Sequence, residues 1–376
     1  MHLCIYGERE GWGVSDENTD LKGGKKKKKE EKEKVCLHIN TYSHRVMENK
    51  KKHDMAAPYT QKLEDVAGDN FTPTVKSYNN QTFLQSPQGR LIRILCELEE
   101  PASRLRRHKV RSTVLVFGSA RAMTTAEHER TREKYEASIA AAEDDAARVK
   151  FQQELNRLQR TRWMCEWMDK VQELSRRIAE FAVHNKDLIN ASFTHIPDYF
   201  RPTLSEVNKD SSTTTSENEF LDLVITTGGG PGFMEAANRG AASVEGVETM
   251  GMGISLPFEK GLNRYISHGL AFEFHYFFTR KFWMMYSCRA IFIAPGGFGT
   301  LDEMFELLTL RQTKKIPDLP IVLLGSSFWR TVINWEALVE FGTVSKEEID
   351  SLCFADTVQE AIEFIMGFFL EQAETP

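Results

Sequence analysis

Twice in this chain a short apolar run ends in a cluster of glycines and passes directly into a helical pattern. The first is Thr226-Thr-Gly-Gly-Gly-Pro-Gly-Phe-Met-Glu-Ala236; the second is Ala290-Ile-Phe-Ile-Ala-Pro-Gly-Gly-Phe-Gly-Thr-Leu-Asp-Glu303. A brief apolar run without alternation belongs to a strand buried on both faces, and parallel strands need a crossover, usually helical. Thr113–Phe117, Leu221–Thr226, Met250–Leu256, Ala290–Ala294 and Pro320–Leu324 fit such strands, with helical patterns among them. The alternation predicts an α/β fold: a Rossmann-like, doubly wound parallel sheet with helices on both faces.

The rest of the chain decorates that frame. Met1 to about Thr74 carries the low-complexity run Lys25–Lys34 and reads as a disordered tail, within which Met55-Ala-Ala resembles a translation start. A single nucleotide-binding domain is expected over 75–372. Near its start Ser86-Pro87 opens a helix containing Leu91, Ile94, Leu95 and Leu98, which Pro101 is expected to stop. One long helical stretch is expected from about Thr125 to His184. In its second half Met164, Trp167, Val171, Leu174, Ile178 and Phe181 fall on one face. Its first half has a thinner stripe (Tyr135, Ile139, Ala142, Val149) and is expected to form an inserted helical arm, about 126–160. A polar Ser/Thr loop follows at about 205–219. Towards the end, Phe328–Phe341 reads as a helix stopped by Gly342, while Ser345-x-x-Glu348 and Thr357-x-x-Glu360 are capping boxes.

Composition limits the partners. The 376 residues carry a formal charge of −6 with a pI near 6.0, which argues against nucleic acid or an anionic membrane as partner. The six cysteines include no Cys-x-x-Cys pair, as suits a reducing compartment, and a cytoplasmic location is expected. No apolar run approaches the roughly 20 residues that span a bilayer. No His-Glu-x-x-His spacing occurs among the ten histidines, so no metal site is expected.

Both glycine turns should lie beyond the carboxyl ends of their strands, where open α/β sheets bind ligands. The first, with Gly229 and Gly230, lacks both the G-x-G-x-x-G spacing and the lysine of a P-loop. It reads equally as an anion site or as a tight crossover that needs glycine for packing. In the second, Gly296, Gly297 and Gly299 allow close backbone approach to an anion, and Thr300 adds a hydroxyl. Glu303 has two readings. Thr300-x-x-Glu303 is a capping-box pattern, and Glu303 is equally a candidate catalytic carboxylate. Arg280-Lys281, in the aromatic stretch from Phe272 to Tyr286, supplies the matching cations.

With Arg280-Lys281 between them, Gly-Gly-Gly-Pro-Gly-Phe-Met-Glu-Ala and Pro-Gly-Gly-Phe-Gly-Thr-x-x-Glu resemble the Lonely Guy family of cytokinin riboside 5′-monophosphate phosphoribohydrolases, long mislabelled lysine decarboxylases. The likeness runs from about Tyr78 to the C-terminus and is closest to the longer bacterial-type members. These share Ser-Pro-x-Gly-Arg, the turn Phe-Gly-Ser-Ala-Arg121 containing Ser119, and the segment Phe272–Lys281. The resemblance implies that Arg280 and Glu303 are the catalytic pair. It further implies that Gly296, Gly297, Gly299 and Thr300 hold phosphate, and that Lys281 contacts substrate. Where the plant members have Arg-Lys-Ala-Glu-Met, this chain has Arg280-Lys-Phe-Trp-Met284, which leaves base preference open. Their acidic substrate contact has only Glu259 as a candidate counterpart. The implied reaction is hydrolysis of a purine nucleoside 5′-monophosphate to base and ribose 5-phosphate, without cofactor, in a homodimer with shared sites. Three alternatives remain: a nucleotide- or cofactor-binding module on the same fold without catalysis, a nicotinamide-dependent oxidoreductase, and a decarboxylase with a Schiff base on Lys281.

Overall fold

The computed structural model describes residues 74–192, 220–255 and 261–374. The N-terminal tail to Pro73, the whole of the polar loop at about 205–219 and Glu259 lie outside the described residues. The chain divides into two units, Met1–Asn80 and Gln81–Pro376. The described part of the first holds a short 3-10 turn, Ser77–Asn79; the sheet and its helices belong to the second.

Seven strands form one parallel sheet: β1 (Thr113–Phe117), β2 (Val224–Thr227), β3 (Met250–Ile254), β4 (Ala271–Phe274), β5 (Cys288–Ile293), β6 (Ile321–Leu324) and β7 (Leu352–Ala355), in the order β4-β3-β2-β1-β5-β6-β7. This is the Rossmann-like doubly wound arrangement. The chain winds outward from β1 to β4, returns to lay β5 on the other side of β1, and winds outward again. The switch point therefore lies between β1 and β5.

Both faces of the sheet are buried, which is why its strands read as continuous apolar runs. In β1, Val114 and Val116 enter one core while Leu115 and Phe117 enter the other. The longer helices are α1 (Arg90–Arg107), α2 (Thr125–Ala140), α3 (Asp145–Gln159), α4 (Cys165–His184), α5 (Phe233–Ala242), α6 (Phe277–Tyr286), α7 (Phe298–Gln312) and α8 (Val358–Glu374). Helices α4, α5 and α8 supply the first core; α6 and α7 supply the second. The stripe on α4 packs as its spacing predicts, with Trp167, Val171, Leu174 and Ile178 buried and Phe181 partly so. Among the described residues, no helix is long and apolar enough to cross a membrane.

Several expectations are corrected. The stretch Thr125–His184 is three helices, because Asp144 caps a new one by accepting the Ala147 N–H at 2.6 Å. The expected arm is thus a hairpin of α2 and α3, with α2 opened by a Thr124–Glu127 capping box. Phe328–Phe341 is likewise split, into Ser326–Val332 and Trp335–Glu340, the second capped by Asn334. Pro101 does not end α1, which runs through it to Arg107. β4 and β7 join the expected strands as the two edges of the sheet.

Candidate functional site

Three strand-to-helix loops meet at the carboxyl ends of β1, β2 and β5. The Ser119 N–H donates to the Pro295 carbonyl at 3.0 Å, and the Phe233 N–H donates to the Ser119 carbonyl at 3.3 Å. Glycine is required where they touch. A β-carbon on Gly232, whose φ is +72°, would lie 2.4 Å from the Ser119 carbonyl oxygen. Ser119 is thus the backbone junction of the three loops, and its hydroxyl accepts the Arg121 N–H at 3.1 Å.

The two glycine turns, so alike in sequence, differ in the fold. The first is closed. Gly228, Gly229 and Gly230 are buried. The Gly229 N–H donates to Thr227 Oγ1 at 2.9 Å, and its carbonyl accepts the Asn263 N–H at 2.8 Å. Leu262 and Ile266 cover its Cα. Asn263 Nδ2 also donates to the Gly230 carbonyl at 3.3 Å and to Asn238 Oδ1 at 2.9 Å. Asn238, fully buried, in turn accepts from Thr227 Oγ1 and donates to Thr249 Oγ1. Gly229 therefore spends both backbone polar groups inside the protein, as a tight crossover does. The sequence reading missed Asn238 and Asn263, which no local pattern announces.

The second turn is open. Gly297, Phe298 and Gly299 are exposed, Phe298 to 93%. They lie at the start of the 15-residue helix α7, whose N-cap Gly297 leaves the first N–H groups without a side-chain cap. Thr300 is buried and its side chain folds onto Gly296, where a β-carbon would come within 2.1 Å of Oγ1. The N-cap is Gly297, not Thr300, so Thr300-x-x-Glu303 is not a capping box. Glu303 lies further into the helix and points elsewhere.

It points at Arg280. Arg280 Nη1 and Glu303 Oε1 are 3.2 Å apart, and both side chains are nearly buried. The arginine is fixed along its length. Nε donates to the Met252 carbonyl of β3 at 2.8 Å, and Nη2 passes against Gly228, where a β-carbon would approach to 2.5 Å. Burial dominates the carboxyl of Glu303 and pushes its pKa up to about 7, although the Arg280 charge pulls the other way. Lys281, the next residue, faces α7 differently. Its Nζ lies 2.8 Å from Asp302 and 2.6 Å from Glu306. Burial alone would lower its pKa, but hydrogen bonds to Asp302 and Glu306 outweigh this and raise it. The structure thus joins Arg280, Glu303, Gly228 and the open α7 terminus. Gly229 and Gly230 are buried within the closed first turn, and Lys281 is held between two carboxylates. No cluster of three metal-ligating side chains occurs among the described residues.

Such a site can bind an anion at the α7 N-terminus and present, close by, a carboxylate that titrates near neutrality beside a fixed guanidinium. Residues 234–365 match the family model described as "Possible lysine decarboxylase". No curated protein matches. Among solved structures the chain is similar to the molybdenum cofactor binding protein from the phototrophic bacterium Rippkaea orientalis. The identity is 17% over 54% of this chain and 86% of that one, with a TM-score of 0.30.

Proposed function

We propose that this chain belongs with the Lonely Guy-type proteins its glycine motifs resemble, a reading supported by the family match over residues 234–365, and that it hydrolyses the N-glycosidic bond of a purine nucleoside 5′-monophosphate. The observation that carries the reading is the near-buried Arg280–Glu303 pair, 3.2 Å apart, beside an uncapped and exposed helix terminus. The 5′-phosphate sits on the N–H groups of Gly297, Gly299 and Thr300, with Gly296 and Ser119 shaping the floor of the crevice. As the C1′–N9 bond breaks, its electron pair leaves with the base and positive charge grows on the ribosyl carbon. The ionised Glu303 stabilises that charge and takes a proton from the water whose oxygen bonds to C1′. The proton ends on the departing base, so water is the only co-reactant. Arg280 supplies a planar, permanently charged fork that holds Glu303 in place and offers its remaining N–H groups to the ribose phosphate.

The family's decarboxylase description would need a lysine amine free to form a Schiff base. Lys281 does not fit, because Asp302 and Glu306 hold its Nζ as the ammonium. For the same reason Lys281 reaches a substrate only by releasing one carboxylate. We also propose a homodimer. Phe277, Phe278 and Phe282 on α6 and Phe298 and Phe305 on α7 are exposed beside the site, a face suited to a second copy.

The test is chromatography of products after incubation with AMP, N6-substituted adenosine monophosphates, other nucleoside monophosphates and the matching nucleosides. Free base should appear from a purine monophosphate and hardly at all from its nucleoside, because the anion site contributes only when phosphate is present. Equal turnover of both would overturn the phosphate assignment. Binding without release of base would leave a nucleotide-binding module.

A further inference from the structure

Helix α1 runs through Pro101, which has no N–H to donate. The carbonyl four residues earlier, on Glu97, therefore loses its helical partner. It finds another on α6, where Trp283 Nε1–H donates to it at 2.9 Å. The side chain of the same residue grips α6 a second time. Glu97 Oε1 accepts the His275 N–H at 2.8 Å, and Oε2 accepts the Tyr276 N–H at 3.3 Å and the Thr279 hydroxyl at 2.5 Å. Tyr276 is the N-cap of α6 and supplies no side-chain cap of its own. A carboxylate from a distant helix thus satisfies the start of α6, and its charge complements the helix dipole there.

The two grips bracket Arg280. Thr279, fully buried, precedes it, and Trp283 lies almost one turn beyond. Between them the guanidinium must thread past Gly228 to meet Glu303, with little room for error. We propose that Glu97 is a positioning residue that, through the first turn of α6, aims Arg280 at Glu303. It lies outside the segment that matches the family model, and it touches neither Arg280 nor the crevice loops. The proposal rests on the catalytic reading of the Arg280–Glu303 pair.

Glu97→Gln keeps the shape but turns an acceptor into an NH2 group facing N–H and O–H donors. In the full-length protein the His275 and Tyr276 amides should exchange with solvent at least ~10-fold faster, with β1 and β5 unchanged. A tenfold or larger fall in kcat with little change in KM should accompany this, on the order of the cost of a small misplacement. The apparent titration of Glu303 should move to higher pH, because the Arg280 charge that holds it down has drifted. Thr279→Val, which removes one of the bonds at almost constant volume, should shift each readout in the same direction by less. Unchanged exchange at His275 and Tyr276 would overturn the cap. Faster exchange with kcat and the Glu303 titration unmoved would reduce Glu97 to a structural residue and overturn the positioning role. Should no monophosphate be turned over by the unaltered protein, the proposed function fails. The aim of Arg280 is then decided by amide exchange together with the Glu303 titration, read from the pH dependence of stability.

Discussion

Gly228 and Arg280 share one space: a single methyl group on the glycine would stand 2.5 Å from Nη2 of the arginine. The first glycine turn thus serves the site by making room for a side chain from α6. Gly228→Ala should leave a folded protein, since the clash is with the tip of a side chain, at a cost of roughly 1–3 kcal/mol for overpacking. Turnover should fall about 10²-fold as Arg280 is pushed off Glu303. Wild-type turnover in a folded Gly228→Ala protein, measured alongside its melting temperature, would show that the guanidinium is not needed where it lies.

Glu303→Gln separates charge from shape. If the carboxylate faces the ribosyl cation, turnover should drop roughly 10²–10⁴-fold with the fold intact. A second signature lies in pH. The carboxyl binds its proton up to about pH 7 in the folded state but only to about 4.5 when exposed. Between those values the folded state holds more protons than the unfolded one. Stability should therefore decline as pH rises through that window, by at most about 1.4 kcal/mol per pH unit. Glu303→Gln should flatten this slope. The rate should move oppositely, rising with pH towards about 7 as the carboxylate forms. Denaturant titrations from pH 4.5 to 8 that give parallel curves for both proteins would rule out the buried-carboxyl account.

Lys281 offers a charge-reversal experiment. Lys281→Glu places a third carboxylate beside Asp302 and Glu306, and should lower both melting temperature and turnover, the latter more than about tenfold. Adding Glu306→Lys restores one opposite-charge contact between α6 and α7. If the lysine serves to clamp those helices, the double variant should recover most of both losses. Recovery of stability without turnover would instead assign Lys281 to the substrate phosphate.

The aromatic face beside the site predicts a mass. Light scattering should give twice the chain mass, and Phe282→Glu with Phe278→Glu should return the monomer. A monomer in the unaltered protein at micromolar concentration would remove the second copy from the account.

Much of the frame was readable because its signals are local. β1 and β6 are short apolar runs, α4 carries an unbroken stripe, and Ser345 and Thr357 cap their helices as spaced. β4 was hidden in an aromatic stretch that runs into α6, and β7 is four residues between two capped helices. The loops of the site were legible as strand-to-helix turns, but their opposite character was not. What closes the first is Leu262, Asn263 and Ile266, from a segment with no turn pattern of its own. Thr300-x-x-Glu303 misled because capping depends on where the loop ends, and this loop ends at Gly297. Pro101 misled for a comparable reason. The carbonyl it orphans is satisfied from α6, which local sequence cannot reveal.

The placement of β1 also governs how this chain reaches its fold. Its partners, β2 and β5, are both encoded far downstream, so the middle of the sheet closes only after long loops have lost their freedom. High separation between paired segments slows folding, and here it delays the pair that defines the switch point. Until β1 docks, β2 (Val224-Ile-Thr-Thr227) and β5 (Cys288-Arg-Ala-Ile-Phe-Ile293) each present an unpaired parallel edge, open to the same strand of another chain. Production in the cell is thus a race between insertion of the central strand and intermolecular pairing. A fragment beginning at the family-matched segment would lack both β1 and β2, leaving β3 and β5 with no strand between them to pair with.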